Sequence, residues 1–248
     1  VNNKIVFIPI KEHSARVAGK NFRDFCGYPL YLYVLNKYDG IDVDVFVNTD
    51  SEEIEDTITK TKLYGKFNNI NVIRRKTALC GDDVSVNLLI IDFLKEMKDH
   101  FSERKDIWIA QTHVTTPFLK TETVLFALRL MESQGIIQGE SLSSKSIGYD
   151  SAASVNLHQS RFWRFDEYGY SPVNHNPMKL EKTQDLPVFY EENSCFYIFN
   201  PYNFSKFGGY RVGKLPYFFE ISFPENVDID TEDDWKMCDI LSKLGVNK

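Results

Sequence analysis

Two rhythms alternate along the first half of the chain. Short apolar or period-two runs at 4–10 (KIVFIPI), 42–48 (DVDVFVN), 70–73 and 106–111 (DIWIAQ) predict strands. Between them lie stretches with helical spacing. A helix is predicted over 29–36, opening at Pro29 after the Cys26-Gly27-Tyr28-Pro29 turn signal. Another is predicted over 52–64, with Ser51 as N-cap and Gly65 closing it. Residues 85–101 place Val86, Leu89, Ile90, Phe93 and Met97 on one helical face. Residues 121–133 turn Leu125 and Leu128 inward, with Thr121 as the cap. Strand and helix in alternation predict an α/β fold with a mostly parallel sheet and helices on both faces. Chemistry in such sheets sits beyond the carboxyl ends of the strands, here the loops 9–23, 48–52, 74–85 and 111–120.

The rhythm then changes. Residues 135–145 are polar and rich in Ser and Gly, 152–156 reads as a strand, and 161–190 is crowded with aromatics, Asn, His and Pro with little periodicity. Long irregular stretches of this kind are functional or interfacial. A strand returns at 195–199, and 231–244 reads as a helix capped by Thr231 with acids in its first turn. With no internal repeat, the expectation is a single domain over 1–248.

Composition narrows the partners. A net charge of −6 over 248 residues argues against whole-protein attraction to nucleic acid or an anionic membrane, so any anion site must be a local basic patch. No apolar run approaches the ~20 residues needed to span a bilayer. The sequence opens on a predicted strand rather than on a leader-like run. Cys26, Cys80, Cys195 and Cys238 form no CxxC pair and no zinc spacing with a histidine, which suits a reducing cytoplasm.

Four constellations could carry chemistry. The loop after the first strand, KEHSARVAGKN at 11–21, holds Lys11, Arg16 and Lys20 among small residues. It lacks the spacing of a Walker loop. It reads either as a phosphate cradle or as a solvated surface loop. Asp228 and Asp230 lie two apart in a strand-like segment, which directs both carboxylates to one side while Val227 and Ile229 bury the other. Paired carboxylates suit Mg²⁺, which shares oxygen ligands with phosphates; a plain acidic stretch ahead of the last helix is the other reading. Arg74-Arg75-Lys76 is a solvated run unless it shares a site with the first loop. His113 stands at a strand end in Gln111-Thr112-His113-Val114-Thr115-Thr116-Pro117, with a side chain suited to proton handling or to a structural role.

Together these segments resemble the acylneuraminate cytidylyltransferases, the CMP-sialic acid or CMP-nonulosonic acid synthetase family. Ser14, Arg16, Gly19, Lys20 and Asn21 match its opening ARxGSKRxPGKN motif, and 25–33 follow its LxGxPLxxY pattern. Residues 47–54 (VNTDSEEI) match VSTDSEEI. Arg75, Leu79, Asp82 and Ser85 fit RPxxLAxDxxxS. Residues 184–187 and 193–199 resemble RRQDLP and NGAIYIF, and 227–235 match VDIDTExDW closely.

The resemblance runs almost end to end, in order. It implies a Rossmann-like nucleotidyltransferase core with an inserted dimerisation and sugar-binding lobe, roughly 150–194, and hence a homodimer. It implies attack of the anomeric hydroxyl of an acidic 2-keto-3-deoxy sugar on the α-phosphate of CTP, with Mg²⁺ as cofactor. On that resemblance Lys11, Ser14, Arg16, Lys20, Asn21, Arg75, Asp82 and Ser85 bind the nucleotide. Lys20, Arg16 and Asp230 are catalytic, and Asp228 and Asp230 hold the metal. His113, Thr115, Gln184, Asn193 and Tyr197 meet the sugar.

The chain departs from the family pattern at Lys11 (an Arg in the motif), at Ala15 and Ala18 (a Lys and a Pro), and at Lys182-Thr183-Gln184, where one cation replaces two. Without gaps, the family's LLQPTSPLR puts His113 where the family has a sugar-contacting Gln; a two-residue insertion would put Gln111 there. The acceptor pocket is thus more altered than the nucleotide pocket. The competing expectations are a same-fold enzyme that uses a sugar 1-phosphate, and a nucleotide-binding relative without turnover.

Overall fold

The first strand, β1 (Lys4–Ile10), is apolar at nearly every position because both of its faces are covered. Val6, Ile8 and Ile10 join one hydrophobic cluster, and Ile5 and Phe7 join another on the opposite face. The computed structural model describes residues 2–14, 16–101, 104–137 and 148–246. The Ala15 departure and most of the polar stretch 135–145 lie outside these residues.

A tight hairpin, β2 (Asp24–Phe25) and β3 (Tyr28–Pro29), follows the first loop. Cys26 (φ 58°) and Gly27 (φ 84°) are both left-handed, as a two-residue turn between such strands requires. The chain then runs α1 (Leu30–Asn36), β4 (Asp44–Thr49), α2 (Glu52–Leu63), β5 (Ile70–Arg74), α3 (Val86–Glu96), α4 (Lys98–Phe101), β6 (Trp108–Thr112) and α5 (Thr121–Gln134). The second half adds β7 (Ser151–His158), β8 (Trp163–Asp166), β9 (Gly169–Pro172), β10 (Phe189–Phe199), α6 (Pro201–Lys206), β11 (Pro216–Glu220) and α7 (Glu232–Lys243).

Seven strands form the central sheet in the order β11-β7-β10-β6-β1-β4-β5. All pairings are parallel except those of β10, which runs against both β6 and β7. The expected mostly parallel α/β sheet is what the chain forms. The strand order reverses at β1, which has β4 on one side and β6 on the other, so the loops leaving β1 and β6 diverge and open a crevice. The stretch 150–194 begins and ends in sheet strands, β7 and β10, and the β8–β9 hairpin lies between them. A third cluster, of Phe25, Leu30, Phe118, Val227, Ile229, Trp235 and Cys238, fastens α7 and the segment before it beside the crevice.

Several local expectations are corrected. Ser51 is fully buried and makes no capping bond; Glu52, Glu53 and Glu55 complement the helix N-terminus instead. Thr121 lies inside α5 rather than capping it. Glu225, distant in sequence, serves that end by accepting from the Lys120 backbone (3.1 Å) and from Thr123 Oγ1 (2.7 Å). The helix expected over 85–101 breaks at Met97 (ψ 18°), which lets Phe101 return to pack edge-on against Phe93. Thr231 caps α7 as expected, in a reciprocal box with Asp234.

Candidate active site

The loop leaving β1 turns at Gly19, whose left-handed backbone (φ 59°) starts the short turn Lys20–Phe22. That turn sends Lys20 inward, while Asn21 Nδ2 donates to the Lys11 carbonyl (2.7 Å) and closes the loop on itself. The loop's far end is clamped to α7. Arg23 donates two bonds to Glu232 (2.8 and 2.9 Å) and stacks on the Trp235 ring at 4.2 Å. The basic loop is therefore held facing the segment that carries the two aspartates.

That segment is extended but is not a strand. Its link to the sheet side is the Ile229 amide, which donates to the Thr115 carbonyl (2.8 Å). Val227 and Ile229 are buried in the third cluster, so Asp228 and Asp230 turn the other way, as their spacing predicts. A crevice of about 420 Å³ is lined by Lys11, Ser14, Arg16, Lys20, Asn21 and Asp82 on one side and by Asp228, Asp230, His113 and Thr115 on the other. Pro9, His13, Val114 and Ser194 complete its wall.

Charges oppose across this crevice. Arg16 Nη1 lies 2.6 Å from Asp230, and Lys20 Nζ lies 3.8 Å from it. Lys20 Nζ also donates to the Ile229 carbonyl at 2.6 Å. Burial pulls the Lys20 ammonium below the usual lysine range, partly offset by Asp228 and Asp230. Lys11 pairs with Asp82, which holds that carboxyl below its usual range. Burial pushes Asp228 up, with Thr115 hydrogen bonding against it and Asp230 adding to it. One buried oxygen of Asp228, Oδ1, has no partner among the described residues. A buried carboxylate with an unsatisfied oxygen, next to a second carboxylate, is a donor set that fits a hard divalent cation. Among the described residues no three His, Cys, Asp or Glu side chains converge for a metal. Such a cation would thus need further oxygens from substrate or water, as Mg²⁺ ordinarily does.

The remaining expected residues are distributed differently. Arg75 is buried behind the strand ends: its Nε donates to Asn48 Oδ1 (2.8 Å), and Nη2 to the carbonyls of Asn48 (2.9 Å) and Ile10 (3.2 Å). It ties three parallel strands together and does not line the crevice. Ser85, at the start of α3, is exposed and outside the lining. Gln184 is exposed on the stretch between β9 and β10, where its carbonyl accepts from Gln159 (2.8 Å). Asn193 braces the β10 irregularity through Asn156 (3.0 Å) and the Cys195 amide (3.3 Å). Tyr197 is buried just behind the wall, its hydroxyl donating to Glu192 (2.8 Å).

His113, not Gln111, lines the crevice; Gln111 is fully buried and bonds to His113 from behind (2.8 Å). Burial, with Arg211 and Lys20 nearby, lowers His113 to about 4, so its imidazole is neutral at physiological pH.

Two residues escaped the sequence reading. Ser194 has a left-handed backbone (φ 60°) and projects from the β10 irregularity into the crevice wall. The signal was available, because the motif it sits in carries glycine there. Arg211, in the loop before β11, stacks over Tyr197 at 3.9 Å and donates to Gln111. Nothing in its local sequence marks it.

The family model described as Cytidylyltransferase matches residues 5–242 of this chain. The chain is 26% identical over 250 residues to the CMP-N,N'-diacetyllegionaminic acid synthase of Legionella pneumophila subsp. pneumophila (strain Philadelphia 1), covering 97% of each. Its fold is similar to that of a CMP:2-keto-3-deoxy-manno-octonic acid synthetase solved with CTP, with a TM-score of 0.61 and 13% identity over 98% of this chain and 99% of that one. It is similar also to that of a 4-diphosphocytidyl-2C-methyl-D-erythritol synthase from Anaerococcus prevotii, with a TM-score of 0.60 and 12% identity over 97% of each. The chain belongs to the cytidylyltransferase family and is a nucleotidyltransferase.

Proposed function

We propose that this cytidylyltransferase joins CMP, taken from CTP, to the anomeric hydroxyl of a nonulosonic acid, an acidic 2-keto-3-deoxy sugar, and releases pyrophosphate. The observation that carries this reading is a single crevice. It sets Lys11, Arg16 and Lys20 opposite Asp228 and Asp230, with the neutral groups of His113 and Thr115 alongside. Phosphoryl transfer is mainly positioning and charge neutralisation, so such a cleft needs no nucleophilic side chain of its own.

In this reading Lys11, Ser14, Arg16 and Asn21 hold the triphosphate, and Lys20 neutralises charge building on the α-phosphoryl oxygens. Partial burial strengthens Lys20 for that task, because its field is less screened than that of an exposed lysine. The Arg16–Asp230 pair is 69% and 41% exposed, so exchanging it for phosphate and metal contacts costs little. Asp228 and Asp230 would hold Mg²⁺. When bound, the ion supplies charge neutralisation at the phosphates and orients them for in-line displacement. His113 and Thr115 face the acceptor, and Asn193 and Tyr197 support that wall from behind.

Arg75 holds the strand ends that frame the nucleotide, and Ser85 opens the helix that follows Asp82. The stretch between β7 and β10 exposes Phe165, Tyr168, Tyr170, Met178 and Leu180, a run of large apolar groups that suits a second copy of the chain. Homodimerisation through that lobe is part of the proposal, and Gln184, exposed on the same lobe, is assigned to the acceptor side. Among the described residues no helix is long and apolar enough to cross a membrane, and Cys195 and Cys238 are buried as apolar fillers; both support a cytoplasmic enzyme.

The test is a substrate panel. Incubated with CTP, Mg²⁺ and a set of nonulosonic acids, the protein is expected to release pyrophosphate with at least one of them, a legionaminic-type sugar among the first to try. Release only with a sugar 1-phosphate, or with no acceptor in the set, overturns the proposal.

A further inference from the structure

Gln111 sits on β6 opposite Tyr197 of β10, fully buried, with every polar group of its amide engaged. Its Oε1 accepts from Arg211 Nη1. Its Nε2 points at the Thr112 carbonyl (3.2 Å) and at His113 Nε2 (2.8 Å). The two ends of an amide look alike in shape but not in hydrogen bonding. Turning this one over would set an N–H against the Arg211 guanidinium and an oxygen against the Thr112 carbonyl, two repulsive contacts in a buried place. The orientation is therefore fixed from both sides. With Nε2 of the amide as donor, Nε2 of His113 can only accept, and the ring's proton must reside on Nδ1.

The geometry points to Arg211 as a positioning residue. Acting through Gln111, it fixes His113 as the Nδ1–H tautomer, a neutral single-proton donor in the crevice wall. Such a donor can recognise a hydroxyl or an N-acyl carbonyl of the acceptor by the direction of its single hydrogen bond. A glutamine in that place offers the same kind of neutral N–H. Arg211 itself does not line the crevice, being held over the Tyr197 face at 3.9 Å. The acceptor half of this inference rests on the function proposed above; the tautomer half does not.

The experiment separates the two. Histidine ¹⁵N–¹H correlation spectra of the full chain at neutral pH report which ring nitrogen carries the proton, and His113→Gln identifies the His113 signals. The wild type is expected to show Nδ1–H. Gln111→Glu replaces the amide donor by a carboxylate that still pairs with Arg211, and is expected to switch His113 to Nε2–H. Arg211→Met frees the amide to turn over and should give a mixture, which Arg211→Lys restores towards the wild type. Losing the fixed donor should raise the acceptor KM about tenfold, the equivalent of one hydrogen bond of ~1.4 kcal/mol, with little change in the KM for CTP. Once His113→Gln has identified the signals, an Nε2–H wild type overturns the inference even if no Gln111 or Arg211 variant folds. So does a tautomer unmoved by both Gln111→Glu and Arg211→Met. If the tautomer switches as expected and the acceptor KM stays put, the relay stands and the placement of the acceptor against His113 falls.

Discussion

The two halves of the crevice are built on opposite principles. The half formed by the first loop and the Asp228–Asp230 segment is charged and partly open to water, and its ion pairs are made by side chains that can exchange partners. The half formed by the end of β6 and the bend of β10 is neutral. There, one fully buried amide is pinned between an arginine, a carbonyl and an imidazole. The charged half suits a ligand that brings its own charge, whereas the neutral half suits one recognised by the direction of its hydrogen bonds. The first should therefore govern whether the reaction happens at all, and the second should govern on which acceptor.

The sharpest break between the halves comes from Asp230→Asn. It should lower kcat by on the order of 10³ with every acceptor alike while leaving the melting temperature near that of the wild type. A steady-state assay of pyrophosphate release beside a thermal melt checks both. A loss confined to some acceptors would blur the division.

Stability should divide the halves the other way. Gln111→Ala leaves an Arg211 N–H and the Thr112 carbonyl without partners, and should cost about 1–3 kcal/mol in urea unfolding. His113→Gln comes next: it should shift relative kcat/KM between acceptors by about tenfold while leaving the KM for CTP nearly unchanged. An unchanged acceptor profile would remove His113 from that side.

The same residue gives the protein a pH signature. The folded imidazole protonates only at about 4, whereas an unfolded chain's does so near ~6.5. Between those values the unfolded state binds a proton that the folded state does not, so His113 makes stability fall as pH drops from about 6.5 towards about 4. Urea titrations across that window should show the slope, and His113→Gln should flatten it. The smallest effect belongs to the charged half. Arg16→Ala should change stability by no more than ~0.5 kcal/mol, because its pair with Asp230 is exposed, even though it slows turnover.

The same contrast explains what could be read in advance. The strands of the parallel sheet are legible because burial on both faces leaves apolar runs, as in KIVFIPI. The aspartate pair is legible because Val227 and Ile229 alternate with it and must be buried. The Thr231 cap is legible because both halves of its box lie within four residues. Where the partner comes from far along the chain, local reading fails. Glu225 replaces Thr121 at the start of α5, and Phe101 turns back to Phe93 where one continuous helix was expected. Arg75, placed with the nucleotide by its motif, donates to the Asn48 side chain and to backbone carbonyls of neighbouring strands, contacts its own segment does not announce. Gln111 and Arg211 lie 100 residues apart and meet only through the pairing of β6 with β10, so no window of sequence contains their relation.

In the proposed reaction CTP and an acidic ketosugar meet in this one crevice. Phosphorus NMR of a mixture of protein, CTP, Mg²⁺ and the best acceptor of the panel tests it most directly. A new CMP–sugar phosphodiester signal should grow in step with pyrophosphate, and neither signal should appear with Asp230→Asn. Pyrophosphate accompanied by free CMP from the first time point, or an Asp230→Asn protein that forms the diester at the wild-type rate, would contradict it.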